Sequence, residues 1–312
     1  MPAAATEPGR SSSLRIAAVV LNYRTPSATA SAVRSLQSSN WPALEVIIVE
    51  NGSEDGSADS LRAALPGVTI LESPANLGFA GGCNVGIRHA LSRDFDAVLL
   101  VNSDATIEHD GIARLAAAIG QDPTVGIAGP VLLAGDDTSR IESMGLAFSP
   151  STGRMVGRSA GRAIADVGPA GADRVDAVSG AVMLIKRTVF DKIGLLEEAF
   201  FYGFEDLDFC LRSRQAGFLT VVVGGAHAVH GGSLSVGSRS PRRLYFAARN
   251  HLLLVSRLPD RSLIQQATQV FSIFFLNLAH AVIRSGVPLL PAVRAILRGT
   301  VHHFQGRYGS DV

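Results

Sequence analysis

From Leu14 onward the chain alternates short β-branched runs with stretches of helical character, four times in succession. IAAVVL leads to a helical stretch at 27–38, LEVIIV to 57–65, VTIL to 80–91 and AVLLV to 110–119. Runs this apolar suit strands covered on both faces, and strands separated by helices suit parallel crossovers. A largely parallel α/β sheet is therefore expected for residues 14–130, with ligands gathering at the carboxyl ends of its strands. Residues 131–172, rich in Gly, Ser and Arg, are expected to form hairpins and loops across that edge, ending at a strand in DAVSGAVMLIK. Beyond Pro241 the pattern turns helical, with RRLYFAARNHLLLVSRL, a break at Pro259 and a second helix over 263–283.

At 312 residues and 47% apolar content, one α/β unit with an appendage is the simplest expectation. The net charge of +1 conceals an asymmetry: residues 209–312 hold 12 Arg against Asp260 and Asp311, so they carry +10 and residues 1–208 carry −9. An acidic front half with a basic rear suits a metal-assisted site meeting polyanionic substrates, or a basic face resting on anionic lipid. The arginines are spread among Leu, Val and Phe, which speaks against a nucleic-acid tail. Cys83 and Cys210 are the only cysteines, too few for a disulfide framework or a cysteine zinc site, and a reducing compartment fits. Residues 1–13 look disordered, and the apolar run at 16–21 is too short for a signal-peptide core, so a cytoplasmic setting is expected.

In the helix over 263–283, Ile264, Ala267, Phe271, Phe274, Phe275, Leu278 and Val282 share one face, with Gln266, Asn277, His280 and Arg284 opposite. This pattern suits a helix lying in a membrane interface, peripheral rather than spanning. It equally suits packing on the main domain or on a second subunit, which leaves a homodimer open.

Three polar sites carry candidate chemistry. FFYGFEDLDFCLRSRQAGF places Glu205, Asp206 and Asp208 in one helical turn behind an aromatic run. Desolvation beside apolar rings raises a carboxylate's proton affinity and suits it to general-base work, with Asp206 the candidate. The same acids also fit a plain helix start, with Asp208 pairing to Arg212 and Gly217 ending the helix. In VLLVNSDATI a buried strand releases Asn102, Ser103 and Asp104; a carboxylate there can hold a hard divalent cation bridging nucleotide phosphates, and Asn102 can bond a ribose hydroxyl. The three residues equally make the turn after a strand. In GGAHAVHGGSLS, His230 can complete a metal's coordination and the Gly-Gly-Ser backbone can meet a diphosphate, while His227 is expected to face away.

Two further stretches concern a nucleotide. Glu50 ends a strand where an acid can accept from a base N–H, while Ser53 and Asp55 close the loop or cap the next helix, leaving Glu50 without a capping job. NLGFAGGCNVG is glycine-rich, yet no G-x-G-x-x-G can be laid on it after a strand, which argues against a dehydrogenase. The first strand leads into Asn-Tyr-Arg-Thr-Pro instead of a basic glycine-rich loop, which argues against a nucleotidyltransferase.

VVLNYRTP, VENGSEDGS, NLGFAGGCNVGI, LLVNSDA, the Ser179-Gly180 strand, FFYGFEDLDFCLR and HGGS occur in an order that resembles family 2 glycosyltransferases, the rhamnosyltransferase-like branch above all. The resemblance covers roughly residues 15–255 and implies a GT-A fold and inverting transfer from a nucleoside diphosphate sugar. It implies that Glu50 reads the base, Asn102 contacts ribose or sugar, and Asp104 ligates Mg²⁺ or Mn²⁺ with His230. It further implies Asp206 as catalytic base with Glu205 beside it, and Gly180 as the floor under the sugar. Asn22, Tyr23 and Asn84 would line the nucleotide pocket, together with Asn51, Ser53, Asn76, Gly78 and Ser103.

The expected organisation is a nucleotide-sugar-binding half at 14–130, an acceptor-binding and catalytic half of the same domain at 131–240, and a helical region at 241–312 that associates with either membrane or protein. The resemblance implies dTDP-rhamnose, or else a UDP-sugar, as donor to a glycan acceptor, while the basic, amphipathic rear suggests an acceptor saccharide on a polyprenyl diphosphate carrier at the inner leaflet. Three positions depart from the pattern: Glu50 replaces the usual Asp, Asn102 replaces the first acid of the DxD motif, and Leu196-Glu197-Glu198 stands where Phe-Asp-Glu is common. A catalytically silent, nucleotide-sugar-binding subunit of a glycan assembly complex is the alternative, against which the retained Asp104 and Asp206 argue.

Overall fold

The computed structural model describes residues 14–168, 171–232, 240–283 and 285–310. Residues 1–13, expected to be disordered, lie outside that set, as do Arg284 and the stretch 233–239 that continues the His230 loop.

The first half alternates as its apolar runs require: β1 (Ile16–Asn22), α1 (Pro26–Gln37), β2 (Leu44–Glu50), α2 (Ser57–Ala64), β3 (Thr69–Glu72), α3 (Gly78–Leu91) and β4 (Ala97–Asn102). These four strands are parallel and lie in the order β3-β2-β1-β4. The chain therefore steps outward from β1 and returns to its other side, creating a topological switch between β1 and β4 where their carboxyl ends leave a crevice. Ala17 and Val19 pack into one core cluster while Ile16, Ala18 and Val20 pack into the other, so β1 is covered on both faces and every one of these side chains can be apolar.

β5 (Ala105–Ile107), α4 (Gly111–Gln121), β6 (Val125–Ala134), β7 (Asp137–Ser143) and a hairpin of β8 (Leu146–Phe148) and β9 (Met155–Gly157) follow. β10 (Ala172–Val175), β11 (Val182–Lys186), α5 (Arg187–Ile193), α6 (Glu205–Gln215) and β12 (Leu219–His230) complete the α/β unit. β11 inserts antiparallel between β4 and β6, and β12 runs parallel to β6. The region read as hairpins starts inside the sheet, because β6 runs on through Ala134 as a buried strand.

Three helices close the chain: α7 (Pro241–Ser256), α8 (Leu263–Ile283) and α9 (Leu289–Phe304). Leu252 to Val255 of α7 join the main core, while Leu244 and Ala248 pack with Ala281, Ala292 and Ile296 of α8 and α9. α9 comes close because Gly299 has no side chain; a Cβ there would stand 2.4 Å from the Tyr245 carbonyl oxygen. In α8 the buried stripe is Gln269, Ile273, Asn277 and Ala281. Packing of its aromatic face is found only in part: Phe274 packs against the cluster shared by α7, α8 and α9, whereas Phe271 and Phe275 point outward and Asn277, expected on the polar face, points inward. Both buried amides are satisfied, Gln269 donating to the Pro150 carbonyl at 2.6 Å and Asn277 to the Ile273 carbonyl at 2.8 Å.

Candidate functional site

A cavity of about 220 Å³ opens at the carboxyl ends of β1 and β4. Tyr23, Asn51, Asn76, Gly78, Asn102, Ser103, Asp104, Gly180, Glu205 and Asp206 line it, together with an aromatic wall of Phe201, Tyr202 and Phe246 and the side chain of Arg242.

The three acids of α6 separate by environment. Asp208 is buried and accepts from Arg212 Nε at 2.7 Å and Arg257 Nε at 2.8 Å, a pairing that fixes the helix. Asp206 faces the cavity; its Oδ2 accepts from the Gly180 N–H at 2.9 Å and its Oδ1 from the Leu207 N–H at 2.8 Å. Burial raises its pKa, opposed by those backbone donors. Glu205 is pushed up to about 8, by burial first and then by the charges of Asp206 and Asp208. Glu205 thus holds a proton at neutral pH while Asp206 beside it has room to accept one.

The loop before α6 is strained. Phe201 and Phe204 stand at φ 61° and 78°, in the left-handed region. α7 holds it there. Arg249, fully buried, donates to the Phe200 carbonyl at 3.0 Å, and Asn250 donates to the carbonyls of Phe200, Tyr202 and Gly203 at 2.7, 2.8 and 3.1 Å. From the other side the Phe79 N–H donates to the Phe201 carbonyl at 2.6 Å. Gly78 permits that approach, being at φ +73° with no room for a Cβ, which would lie 2.3 Å from the same oxygen.

Asp104 and His230 meet across the antiparallel pairing of β5 with β12, His230 Nε2 lying 3.4 Å from Asp104 Oδ1 and 3.3 Å from Asn102 Nδ2. Glu142 on β7 holds the other ring nitrogen, Nδ1, at 3.0 Å. Burial opposes charge on this imidazole, but the bonds and charges of Asp104 and Glu142 outweigh it and push the His230 pKa up to about 9. His227 pairs with Glu108 instead.

Among the described residues no cluster of three or more His, Cys, Asp and Glu stands ready for a metal. The donors present nonetheless fit a divalent cation that substrate phosphates help to hold: the Asp104 carboxylate, His230 Nε2 in place of its proton, and Asn102 Oδ1, which is buried without a hydrogen-bond partner. A carboxylate behind the far nitrogen, here Glu142, is the usual support of a metal-binding imidazole.

Besides His230, which reaches the cavity only through its lining residues Asp104 and Asn102, four expected residues do not line it. Glu50 is buried and accepts from the N–H groups of Gly52 and Ser53 at 3.2 and 3.0 Å, so it does close its own loop, contrary to the sequence reading. Asn22 and Ser53 join it in a buried polar knot, Asn22 taking the Thr29 hydroxyl at 2.8 Å and Ser53 the Arg24 N–H at 2.9 Å. Asn84, expected in the pocket wall, spends its amide on the 196–198 segment, donating to the Leu196 carbonyl and to Glu198 and accepting from the Leu196 N–H. Within the wall, Asn51 donates to Asn76 Oδ1 and the Gly78 carbonyl, and Asn76 accepts from the Gly78 N–H. Ser103 accepts from the Thr25 hydroxyl at 3.0 Å.

Sequence reasoning missed Glu142, Arg249 and Asn250. Glu142 lay in a stretch without periodicity. The signal for the other two was an Arg-Asn pair inside an otherwise apolar helix, a position where a polar group survives only with partners.

The sequence model described as "Glycosyl transferase family 2" matches residues 17–194, more than half of the chain. The chain is 29% identical over 201 residues to the low-salt glycan biosynthesis hexosyltransferase Agl10 of Haloferax volcanii, covering 63% of this chain and 61% of that protein. It is 26% identical over 219 residues to the N-acetylglucosaminyl-diphospho-decaprenol L-rhamnosyltransferase of Mycobacterium tuberculosis, covering 62% and 68%. In fold it resembles the mannosyltransferase PcManGT of Pyrobaculum calidifontis, solved with GDP-Man and Mn²⁺, at a TM-score of 0.60 and 16% identity over 96% of this chain and 90% of that one. The GT-A architecture expected from the motifs is thereby found.

Proposed function

The chain belongs to glycosyl transferase family 2, and from that premise we propose that it moves a sugar from a nucleoside diphosphate to a hydroxyl of a saccharide acceptor, with inversion. The observation that carries this reading is that Asp104 and Asp206 line one cavity, the first beside His230 at a strand end and the second held by two backbone N–H groups.

In this reading the diphosphate lies toward Asp104 and His230, and the sugar lies over Gly180 toward Asp206. Asp206 takes the proton of the acceptor hydroxyl as that oxygen attacks the anomeric carbon, and the bond from that carbon to the diphosphate oxygen breaks. The backbone donors from Gly180 and Leu207 fix the carboxylate's orientation, so the proton is removed without reorganisation of the base. Glu205, protonated beside it, adds no second negative charge to repel the attacking oxygen. Bound Mg²⁺ or Mn²⁺ would supply charge neutralisation for the departing diphosphate. The aromatic wall of Phe201, Tyr202 and Phe246 gives an acceptor ring a face to stack on.

dTDP-rhamnose is the proposed donor, and a saccharide on a polyprenyl diphosphate the proposed acceptor. The likeness to the N-acetylglucosaminyl-diphospho-decaprenol L-rhamnosyltransferase supports the rhamnosyl group and the acceptor, and a likeness to the dTDP-rhamnosyl transferase RfbF of Shigella flexneri supports the nucleotide. A thermal-shift panel of UDP, dTDP, GDP and NAD, each with Mn²⁺ and again with EDTA, tests the donor site. A nucleotide at a hundred times its Kd adds about 2.7 kcal/mol of stability, a shift of several degrees. Metal-dependent stabilisation by dTDP is expected. No shift with any nucleoside diphosphate would overturn the reading.

A further inference from the structure

α8 and α9 leave apolar stripes uncovered. On α8, Ile264, Phe271, Phe275 and Val282 recur at helical spacing, and they are 79%, 66%, 61% and 63% exposed. They lie opposite the buried stripe of Gln269, Ile273, Asn277 and Ala281. On α9, Leu290, Leu297, Val301 and Phe304 form a second exposed stripe with the exposed Arg294 in it, opposite the buried Ala292, Ile296 and Gly299. Helices normally turn such stripes inward, so these need a solvent other than water.

We infer that the α8–α9 face docks on an anionic lipid bilayer, lying in its interface. Length and composition alone allow α8 to span, with a mean hydropathy of 1.3 over its most apolar stretch. Its other face is committed, however: Ile273 belongs to the main core and Gln269 bonds Pro150 and Arg261. A helix fastened along one side can offer lipid only the other, which is the monotopic arrangement.

Charge decides between lipid and a second copy of the chain. α8 contains no charged residue, α9 contains Arg294 and Arg298 and no acid, and from Pro241 to Phe304 the single acid is Asp260, in the turn between α7 and α8. A two-fold contact would set this surface against itself, with no carboxylate on either helix to meet Arg294. Phosphate headgroups supply that counter-charge, and an arginine among apolar side chains can reach them while its stem stays in the acyl boundary.

The surface also has a place relative to the cavity. Arg242 and Phe246 of α7 line the cavity, while Leu244 and Ala248 of the same helix pack on α8 and α9. The docked face, on the far side of α8 and α9 from α7, therefore stands about two helix diameters, roughly 20–24 Å, behind the aromatic wall. This suits an acceptor whose saccharide must reach Asp206 while its polyprenyl chain stays in the bilayer. Only this last link rests on the proposed function.

Co-sedimentation of the full chain with vesicles tests the inference. Wild type is expected to pellet with equimolar phosphatidylcholine and phosphatidylglycerol, and at least about tenfold more weakly with phosphatidylcholine alone. The double variant Phe271→Ser/Phe275→Ser should lose about tenfold or more in vesicle binding. Arg294→Gln should weaken binding only to the anionic vesicles. Both Phe side chains are exposed, so the double variant should keep the wild-type Tm and nucleotide shift, which separates failure here from failure of the donor site. Failure of wild type to pellet, equal pelleting of wild type and the double variant, or a wild-type dimer in sedimentation velocity that the double variant dissolves would overturn the inference.

Discussion

Asn250 donates its side-chain amide to the carbonyl of Phe200 at 2.7 Å, joining α7 to the loop that launches α6 across fifty positions of sequence. The same amide takes the carbonyls of Tyr202 and Gly203, so one side chain holds a turn containing two left-handed phenylalanines. The strain of that turn is sustained by the appendage, and with it the direction of Asp206.

Asn250→Ala should therefore cost about 1–3 kcal/mol of stability, since it leaves buried carbonyls short of donors. Its effect on turnover should exceed its effect on donor affinity, because Asp104 and His230 sit on other elements. Denaturant unfolding together with a split of kcat against KM checks both halves; an unchanged kcat in a folded variant would remove the positioning role.

Glu142→Gln should weaken Mn²⁺ binding by about 10- to 100-fold while leaving the fold intact. The carboxylate acts through His230 Nδ1, 3.0 Å away, and supports the ring nitrogen that faces Asp104. Titration of nucleotide binding against Mn²⁺ reads this directly. Equal Mn²⁺ affinity in variant and wild type would mean that His230 is no ligand.

Glu205 makes stability depend on pH in a definite direction. Its folded pKa of about 8 lies above the ordinary 4.5, so the folded state holds the extra proton between those values and stability falls as pH rises through them. Glu205→Gln removes that loss. The variant's Tm should fall less than wild type between about pH 4.5 and 8, and parallel pH profiles would contradict the assignment.

Much of the fold was legible because β1, β2 and β4 are β-branched and buried on both faces, and such runs have few other structures to adopt. The helix pattern of α8 was legible in the same way, but its orientation was not. Periodicity names the residues that share a face; the partners available to Gln269 and Asn277 decide which face goes in. At the site, Asn102, Asp104 and Asp206 could be located because strand ends and an acid-rich helix start are local signals. Glu50 was read as having no capping job because its acceptor work, closing the Gly52–Ser53 turn, leaves no trace in composition. Glu142 and Asn250 act across 88 and 50 positions, a separation no local pattern spans.

The most direct measurement is turnover of the Asp206→Asn variant, read as nucleoside diphosphate released from dTDP-rhamnose in the presence of an N-acetylglucosaminyl-diphospho-polyprenol acceptor. Asn keeps the shape and can still accept from the Gly180 N–H, but it cannot take a proton. Release should fall by about 10²- to 10⁴-fold with the dTDP thermal shift retained. A variant that retains wild-type turnover would show that the acceptor is deprotonated elsewhere and that Asp206 is not the base.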